Sequence, residues 1–316
     1  MKATAKDRLK AQKKPIITYW DAVKVIVWQS KGLVFLIIPF FSYGIYYEAH
    51  HGNFISAIRL IVGLIVLLTF LICIGLPSIY YRKLILAADW NRWKEVLSLV
   101  DKLKIIGRVG DMLKIVGRLG LVKVPAMELT RNRAKAFVGM GRLQDGLAEF
   151  QQCKGRPDCP SWLYKSFVAG LYTLDKQYDK AIELNLEVIE EHPTPTIWMD
   201  LSNSYARYKR NAQKAREAMA EADKSPILEI AKPFRFRCLG IISYLEGNYD
   251  VARQNLETAI QMVEKIKWRP FKDGHLSIAR AYLCCVLARQ EDLDAAKKNF
   301  ALAEDYLIAT EENDLL

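Results

Sequence analysis

The residue types that most often carry catalysis or hold metals are few in this 316-residue sequence and widely spaced. Six cysteines include no CxxC pair, and none of them stands at a metal-ligand spacing from the four histidines. The sequence has no HExxH motif, no GxSxG motif and no glycine-rich phosphate loop. We therefore predict no enzymatic activity, no metal and no cofactor. Recognition by surface side chains is the chemistry that remains.

Cationic side chains are the leading candidates for that recognition. The sequence carries 46 Lys or Arg against 35 Asp or Glu, and between residues 82 and 142 there are 14 basic and five acidic residues. Such a balance suits nucleic acid, anionic lipid or an acidic protein segment. Neither a DNA-binding motif nor aromatic residues interleaved for base stacking accompany the charge. We predict protein and anionic lipid as partners and expect no nucleic acid.

The end of the chain has the opposite charge. Residues 291–316 contain eight acidic residues and two lysines. We interpret them as the solvated face of a last helix and its tail, with an interaction tail as the alternative.

Two apolar segments precede the charged part of the sequence. Residues 60–81 form a run of 22 without a charge, long enough as a helix to cross the roughly 30 Å hydrocarbon core of a bilayer. A shorter uncharged run covers 32–47, and Lys31 and Trp28 can extend it. We predict a transmembrane helical hairpin over 32–82, in which Gly63 and Gly75 let the spans approach closely.

The charges beside the two runs predict the orientation of the hairpin. Residues 1–31 carry eight Lys or Arg, basic residues also follow the second run, and the connector at 48–53 has none. Both the N-terminus and the C-terminal domain are therefore expected to be cytoplasmic, at the bacterial inner membrane. We assign 1–31 to a basic tail and interfacial helix and 83–125 to basic amphipathic juxtamembrane helices. Residues 16–30 either lie in the interface or begin the first span.

A repeated pattern occupies residues 126–316. Four segments share a glycine or polar turn, an aromatic or leucine residue two positions later, and a small residue three positions after that; a looser fifth copy joins them. The small residues are Gly146, Ala181, Ala215, Ala252 and Ala296, separated by 35, 34, 37 and 44 residues. Residues 89–96 (DWNRWKEV) imitate the same turn and the start of a second helix, which indicates an earlier half unit.

The pattern resembles the tetratricopeptide repeat (TPR), a pair of helices of about 34 residues. Trp198, Leu201, Ser202 and Tyr205 match positions of that family's first helix. The chain departs from the family at Asn185, where an aromatic residue is usual, and by one extra residue before Ala215. Because one helix pair cannot bury its apolar face alone, the pairs must stack. The resemblance implies an all-α fold, with a TPR-like α-solenoid following the transmembrane hairpin.

The resemblance also implies a function. TPR arrays are scaffolds that hold an extended peptide or a partner helix in a groove lined by the first helices of the units. By that resemblance, the groove residues of this chain are Arg131, Lys135, Asn203, Arg207, Arg237 and Tyr244. The cationic ones suit an acidic ligand. A solvated helix face is the alternative interpretation of each.

Together these features predict a membrane-anchored scaffold that recruits a protein partner at the cytoplasmic face of the membrane. The alternative is an accessory or assembly subunit of a larger membrane complex, whose spans pack against other spans.

Overall fold

The computed structural model describes residues 33–112, 124–265, 272–312 and 315. Within these ranges every regular element is helical, so the predicted all-α class is confirmed. The helices are α1 (Leu33–His50), α2 (Phe54–Asp89), α3 (Trp93–Met112), α4 (Ala126–Gly139), α5 (Leu143–Gln151), α6 (Ser161–Leu174), α7 (Tyr178–Glu191), α8 (Pro195–Arg207), α9 (Ala212–Ala222), α10 (Lys232–Leu245), α11 (Tyr249–Glu264), α12 (Lys272–Arg289) and α13 (Leu293–Thr310). A 3-10 turn, Glu229–Ala231, precedes α10.

The described residues form two compact units. The smaller unit takes them from Pro15–Leu84 and Ser98–Leu129, and the larger unit from Ile85–Leu97 and Thr130–Leu316. The predicted tail and interfacial helix at 1–31 lie outside the described residues, as do 113–123 of the predicted juxtamembrane segment.

Two glycines bring α1 and α2 together in the smaller unit. A Cβ atom on Gly44 would lie 3.1 Å from Leu60 Cδ1, and one on Gly63 would lie 3.0 Å from Phe41 Cε1. The contact at Gly63 is the close approach expected from the sequence. The connector turns at Gly52, whose φ is 74°.

Helix α1 covers 33–47 of the first apolar run, and α2 contains the whole of the second run at 60–81. Among the residues that the structure describes, no helix combines the length and the apolar character needed to cross a membrane. The transmembrane hairpin therefore stays a prediction from the sequence. Large apolar side chains are exposed on both helices, among them Tyr43, Tyr46, Phe54, Ile55, Ile58 and Val62.

The larger unit consists of antiparallel helix pairs, each with a first and a second helix. The pairs are α4–α5, α6–α7, α8–α9, α10–α11 and α12–α13. The segment Ile85–Leu97 precedes them with the end of α2, a turn and the start of α3. The half unit expected at 89–96 is therefore present.

The turns within the pairs share one backbone geometry. In the described part of the chain, six residues adopt a positive φ two positions before a second helix: Asn91, Gly141, Lys176, Arg210, Gly247 and Glu291. In five of these turns the next N–H donates to a carbonyl five residues earlier, as Gln177 does to Tyr172. At Arg210 the bond spans six residues, from Asn211 to Tyr205. That longer turn contains the extra residue noticed in the sequence before Ala215.

Small residues let the two helices of a pair approach closely. Ala181, Ala215, Ala252 and Ala296 are buried where second helices face first helices. Gly146 takes this position in the α4–α5 pair, where a Cβ atom would lie 2.5 Å from Val138 Cγ2 and 2.8 Å from the carbonyl oxygen of Ala134. The first pair is therefore packed too tightly to accept even alanine without movement.

We expect Gly146→Ala to lower the free energy of unfolding by about 1–3 kcal/mol, because the new methyl group meets a backbone carbonyl. Gly170→Ala in α6 is the matched control, since nothing lies within 4 Å of its Cβ position. Alanine there raises the free energy of unfolding by roughly 0.5–1 kcal/mol through helix propensity. Urea titration followed by circular dichroism measures both. Changes of the same sign would contradict the tight α4–α5 contact.

Candidate functional site

A cavity of about 610 Å³ opens in the larger unit beside the turns. The left-handed turn residues Asn91, Lys176 and Arg210 line it, together with the C-terminal ends of α2, α6, α8 and α13. The ends of helices meet here because the turns repeat at the same edge of successive pairs. Helix C-termini carry partial negative charge, which favours cationic side chains around them.

Charged side chains dominate the polar part of the lining. The cations are Lys135, Lys176, Arg207 and Arg210, and the acids are Asp89, Glu311 and Glu312. Lys176 and Arg210 are exposed at the rim, whereas Arg207 is only 5% exposed. In the described part of the chain, no group of three or more His, Cys, Asp or Glu residues is placed to hold a metal ion. The charged side chains of the lining are suited to ionic recognition.

The first turn of the larger unit packs against its last two helices. Trp90 Nε1 donates a hydrogen bond to Asp273 at 2.8 Å, and its ring meets Tyr306 edge-on at 5.4 Å between centroids. Asn91 Nδ2 donates to the carbonyl oxygen of Thr310 at 3.3 Å. These contacts join residues 183 to 219 positions apart, and Asn91, Tyr306 and Thr310 among them line the cavity.

Asp89 is the buried acid at this junction, with 5% of its surface exposed. The hydroxyl group of Tyr306 donates to Asp89 Oδ1 at 3.3 Å, and the N–H of Gly274 approaches Oδ2 at 3.4 Å. A side chain at Gly274 would collide with both Tyr306 and Asp89. Burial, and then the nearby charge of Asp273, raise the pKa of Asp89 to about 7. This carboxyl group therefore titrates near neutral pH.

Arg207, at the end of α8, holds a carboxylate inside the cavity. Its Nη2 atom lies 2.8 Å from Glu312 Oε2, and the two side chains are 4% and 24% exposed. The guanidinium group also lies 5.1 Å from the ring centre of Tyr208. Tyr208 in turn stacks on Tyr178, with 4.1 Å between centroids and 4° between planes. The cavity thus combines a buried ion pair with an aromatic wall.

Asp200 and Arg237 lie on neighbouring first helices, α8 and α10. Arg237 is buried, and its Nη1 lies 3.0 Å from His275 Nδ1. Burial lowers the pKa of the Arg237 guanidinium. Asp200 is partly exposed, but the protein around it limits the hydration of its charge, and this raises its pKa to about 6. The positive charge of Arg237 acts in the opposite direction and lowers the pKa. Asp200 therefore takes up a proton at a higher pH than an ordinary aspartate does.

The six groove residues expected from the sequence occupy different surroundings. Lys135 and Arg207 line the cavity. Arg131 lies 4.9 Å from the ring centre of Phe167, and Asn203 Oδ1 lies 4.0 Å from the Sγ atom of Cys238. Arg237 contacts His275, and the ring of Tyr244 meets Tyr249 and Tyr282. The structure therefore brings two of the six together in this cavity.

Several lining residues were missed at the sequence level. Lys176 and Arg210 lie in the turns of the repeat, and for that reason the sequence did not indicate them as binding residues. The recurrence of the turns was the available signal, because successive turns of stacked helix pairs lie along one edge. Asp89 and Glu312 had no such signal, since they reach the site through contacts between distant parts of the chain.

The helix pairs and their shared turn geometry define the larger unit as a solenoid of TPR-like helix pairs. No protein-family model matches the chain, and a search of curated proteins found no match.

Three solved structures are among those to which this chain is similar. BtubC (BKLC) from P. vanneervenii is 18% identical with a TM-score of 0.41, over 67% of this chain and 88% of that one. A putative kinesin light chain from Podosopora anserina, with nearly identical TPR-like repeats, is 15% identical with a TM-score of 0.38, over 59% and 96%. A tetratricopeptide repeat protein from Parabacteroides merdae is 14% identical with a TM-score of 0.38, over 75% and 98%.

Asp89 predicts a pH dependence of stability. Its pKa is about 7 in the folded chain against 3.8 when unperturbed, so its stabilising contribution is greatest below about pH 4 and is lost as pH rises to about 7. We expect Asp89→Asn to gain on the order of 2 kcal/mol relative to the unsubstituted chain between about pH 4 and pH 8. Urea titrations at the two pH values measure this gain.

Asp101→Asn, at an exposed position of α3, controls for the loss of one negative charge. A difference between Asp89→Asn and the unsubstituted chain that stays constant with pH would contradict the assignment.

Proposed function

We propose that the larger unit is a scaffold that binds an acidic segment of a protein partner in the cavity beside the turns. The observation that carries the proposal is the pair between Arg207 and Glu312, because it provides a carboxylate site that is already formed. Charge-assisted hydrogen bonds to guanidinium groups are shorter and stronger than neutral ones. Lys135, Lys176 and Arg210 extend the positive lining from this site to the rim.

The shape of the cavity suits a short stretch of extended chain. A volume of about 610 Å³ holds a few residues. The stacked rings of Tyr178 and Tyr208 offer an apolar wall beside the guanidinium group of Arg207. An acidic residue next to an apolar one therefore fits the chemistry of the lining.

We further propose that α1 and α2 attach this scaffold to a membrane, with the larger unit at the cytoplasmic face of the bacterial inner membrane. The uncharged run at 60–81 and the basic flanks of the hairpin support the proposal. The exposed apolar side chains on α1 and α2 support it too, since Phe54 and Ile55 are each 68% exposed. Basic residues between 82 and 142 would then contact anionic lipid.

An accessory or assembly subunit of a larger membrane complex is the second candidate. The same apolar side chains, Tyr43 and Phe54 among them, favour it, because they could pack against the spans of other subunits. The two candidates differ in what covers α1 and α2, and they share the cavity.

Photo-crosslinking tests the scaffold. A photo-reactive amino acid is placed at Gly170, which lines the cavity and has nothing within 4 Å of its Cβ position. In native membranes we expect a recurring crosslinked protein, identified by mass spectrometry. The double variant Lys176→Glu/Arg210→Glu is expected to reduce its yield at least about tenfold through the loss of two charged contacts.

Lys297→Glu/Lys298→Glu is the matched control, since it reverses two exposed charges on α13. It is expected to leave the crosslinked product unchanged. Recovery of lipid without a recurring protein, or equal losses in both double variants, would overturn the scaffold proposal.

Membrane attachment is tested by alkaline carbonate extraction. Phe70→Arg/Leu71→Arg places two charges at the middle of the 60–81 run, at about 2.5–3.5 kcal/mol each for insertion. We expect the unsubstituted chain to stay with the membrane and this variant to be released. Leu228→Arg/Ile230→Arg is the control, because those side chains are exposed apolar residues of the larger unit. Equal fractionation of all three would contradict the anchor.

A further inference from the structure

The end of the chain turns back into the cavity. Helix α13 ends at Thr310, and Glu311 adopts a left-handed conformation with φ 62°. The N–H of Glu312 donates to the carbonyl oxygen of Leu307 at 3.1 Å, which closes the end of the helix. Glu311 and Glu312 therefore join the cavity lining instead of continuing the helix.

Two kinds of contact hold this end in place. The carboxylate of Glu312 pairs with Arg207, which is 105 residues earlier in the sequence. Leu315 is half-buried and packs against the apolar core around Phe300 and Leu307. The carboxylate of Glu312 thus satisfies the cationic part of the site, while Leu315 anchors the same segment on the core beside the cavity.

The charge of the lining depends on this segment. Without Glu311 and Glu312, the lining keeps four cations and a single acid, Asp89, whose pKa of about 7 leaves it only partly charged near neutral pH. The side chains of an empty cavity would therefore carry a net positive charge. Glu311 and Glu312 supply the complementary negative charge.

We infer that Glu311 and Glu312 act as an internal ligand of the cavity, and that the partner binds through an acidic segment that displaces them. This inference rests on the proposed scaffold function and specifies the partner's chemistry and the regulation of the same site. A tethered segment has an effective concentration in the millimolar range, so a free peptide with the same contacts competes poorly until the tail is released.

The test uses a fluorescent peptide of the chain's own sequence, Glu-Glu-Asn-Asp-Leu-Leu, and measures its binding by anisotropy. We expect weak binding to the unsubstituted chain. A chain that ends at Thr310 and the full-length Glu312→Gln variant are both expected to bind the peptide at least tenfold more tightly. Glu304→Gln, at an exposed position of α13, is the matched control and leaves binding unchanged.

Charge specificity is tested in the shortened chain. Arg207→Gln is expected to weaken peptide binding at least tenfold, with circular dichroism establishing that the helices are retained. Should Arg207→Gln unfold the chain, a peptide with Gln in place of its second Glu makes the same test on the full-length Glu312→Gln variant. Equal affinity for that peptide would overturn the inference, as would equal affinity of the full and shortened chains for the original peptide.

Inorganic phosphate and vesicles of anionic lipid are the competitors. Each competitor is compared with the unlabelled peptide at the same concentration of negative charge. If either one displaces the fluorescent peptide equally well, the site recognises charge alone, and the inference is overturned. Crosslinking at Gly170 separates this result from the scaffold proposal. A crosslinked partner combined with no effect of tail removal would support the scaffold and contradict the internal ligand. An effect of tail removal without a crosslinked protein would support the internal ligand and contradict the scaffold.

Discussion

The junction between the first turn of the larger unit and its last two helices is the interaction on which the cavity depends. Asp89, Trp90 and Asn91 reach Tyr306, Asp273 and Thr310 respectively. Without these contacts the end of α2 would not lie beside the end of α13, and the cavity would lose one wall. The absence of a side chain at Gly274 is part of the same constraint, since a Cβ atom there would lie 2.9 Å from Asp89 Oδ1.

The repeated turn explains why polar chemistry gathers at one edge. A residue in the left-handed conformation lies in the turn between the first and the second helix of each pair. Because the pairs stack, successive turns lie side by side. Lys176 and Arg210 occupy such positions although glycine would adopt them with less strain. Their long side chains reach the cavity rim, which gives a reason for a charged residue where the backbone alone favours glycine.

Local patterns in the sequence predicted the helix pairs and the turns well. The spacing of Gly146 and the four alanines located the second helices, and 89–96 indicated the half unit, because small residues and turns are read within a few positions. The sequence did not distinguish Arg207 from Arg237, which both lie on first helices. One pairs with Glu312 in the cavity and the other contacts His275, and that difference arises from residues far along the chain. The acidic end was interpreted as solvated for the same reason, since nothing local connects Glu312 with α8.

The energetics of the ion pair explain how a buried contact can still be exchanged. Removing two charges from water offsets much of their attraction, so a buried pair adds little net stability, whereas leaving one partner alone is costly. Arg207 therefore requires some carboxylate but has little preference for which chain provides it. Loss of Glu312 without a replacement is unfavourable, and its replacement by an equivalent carboxylate conserves the pair. The site thus disfavours an empty state and permits substitution of one acidic segment by another, which is the behaviour that displacement by a partner requires.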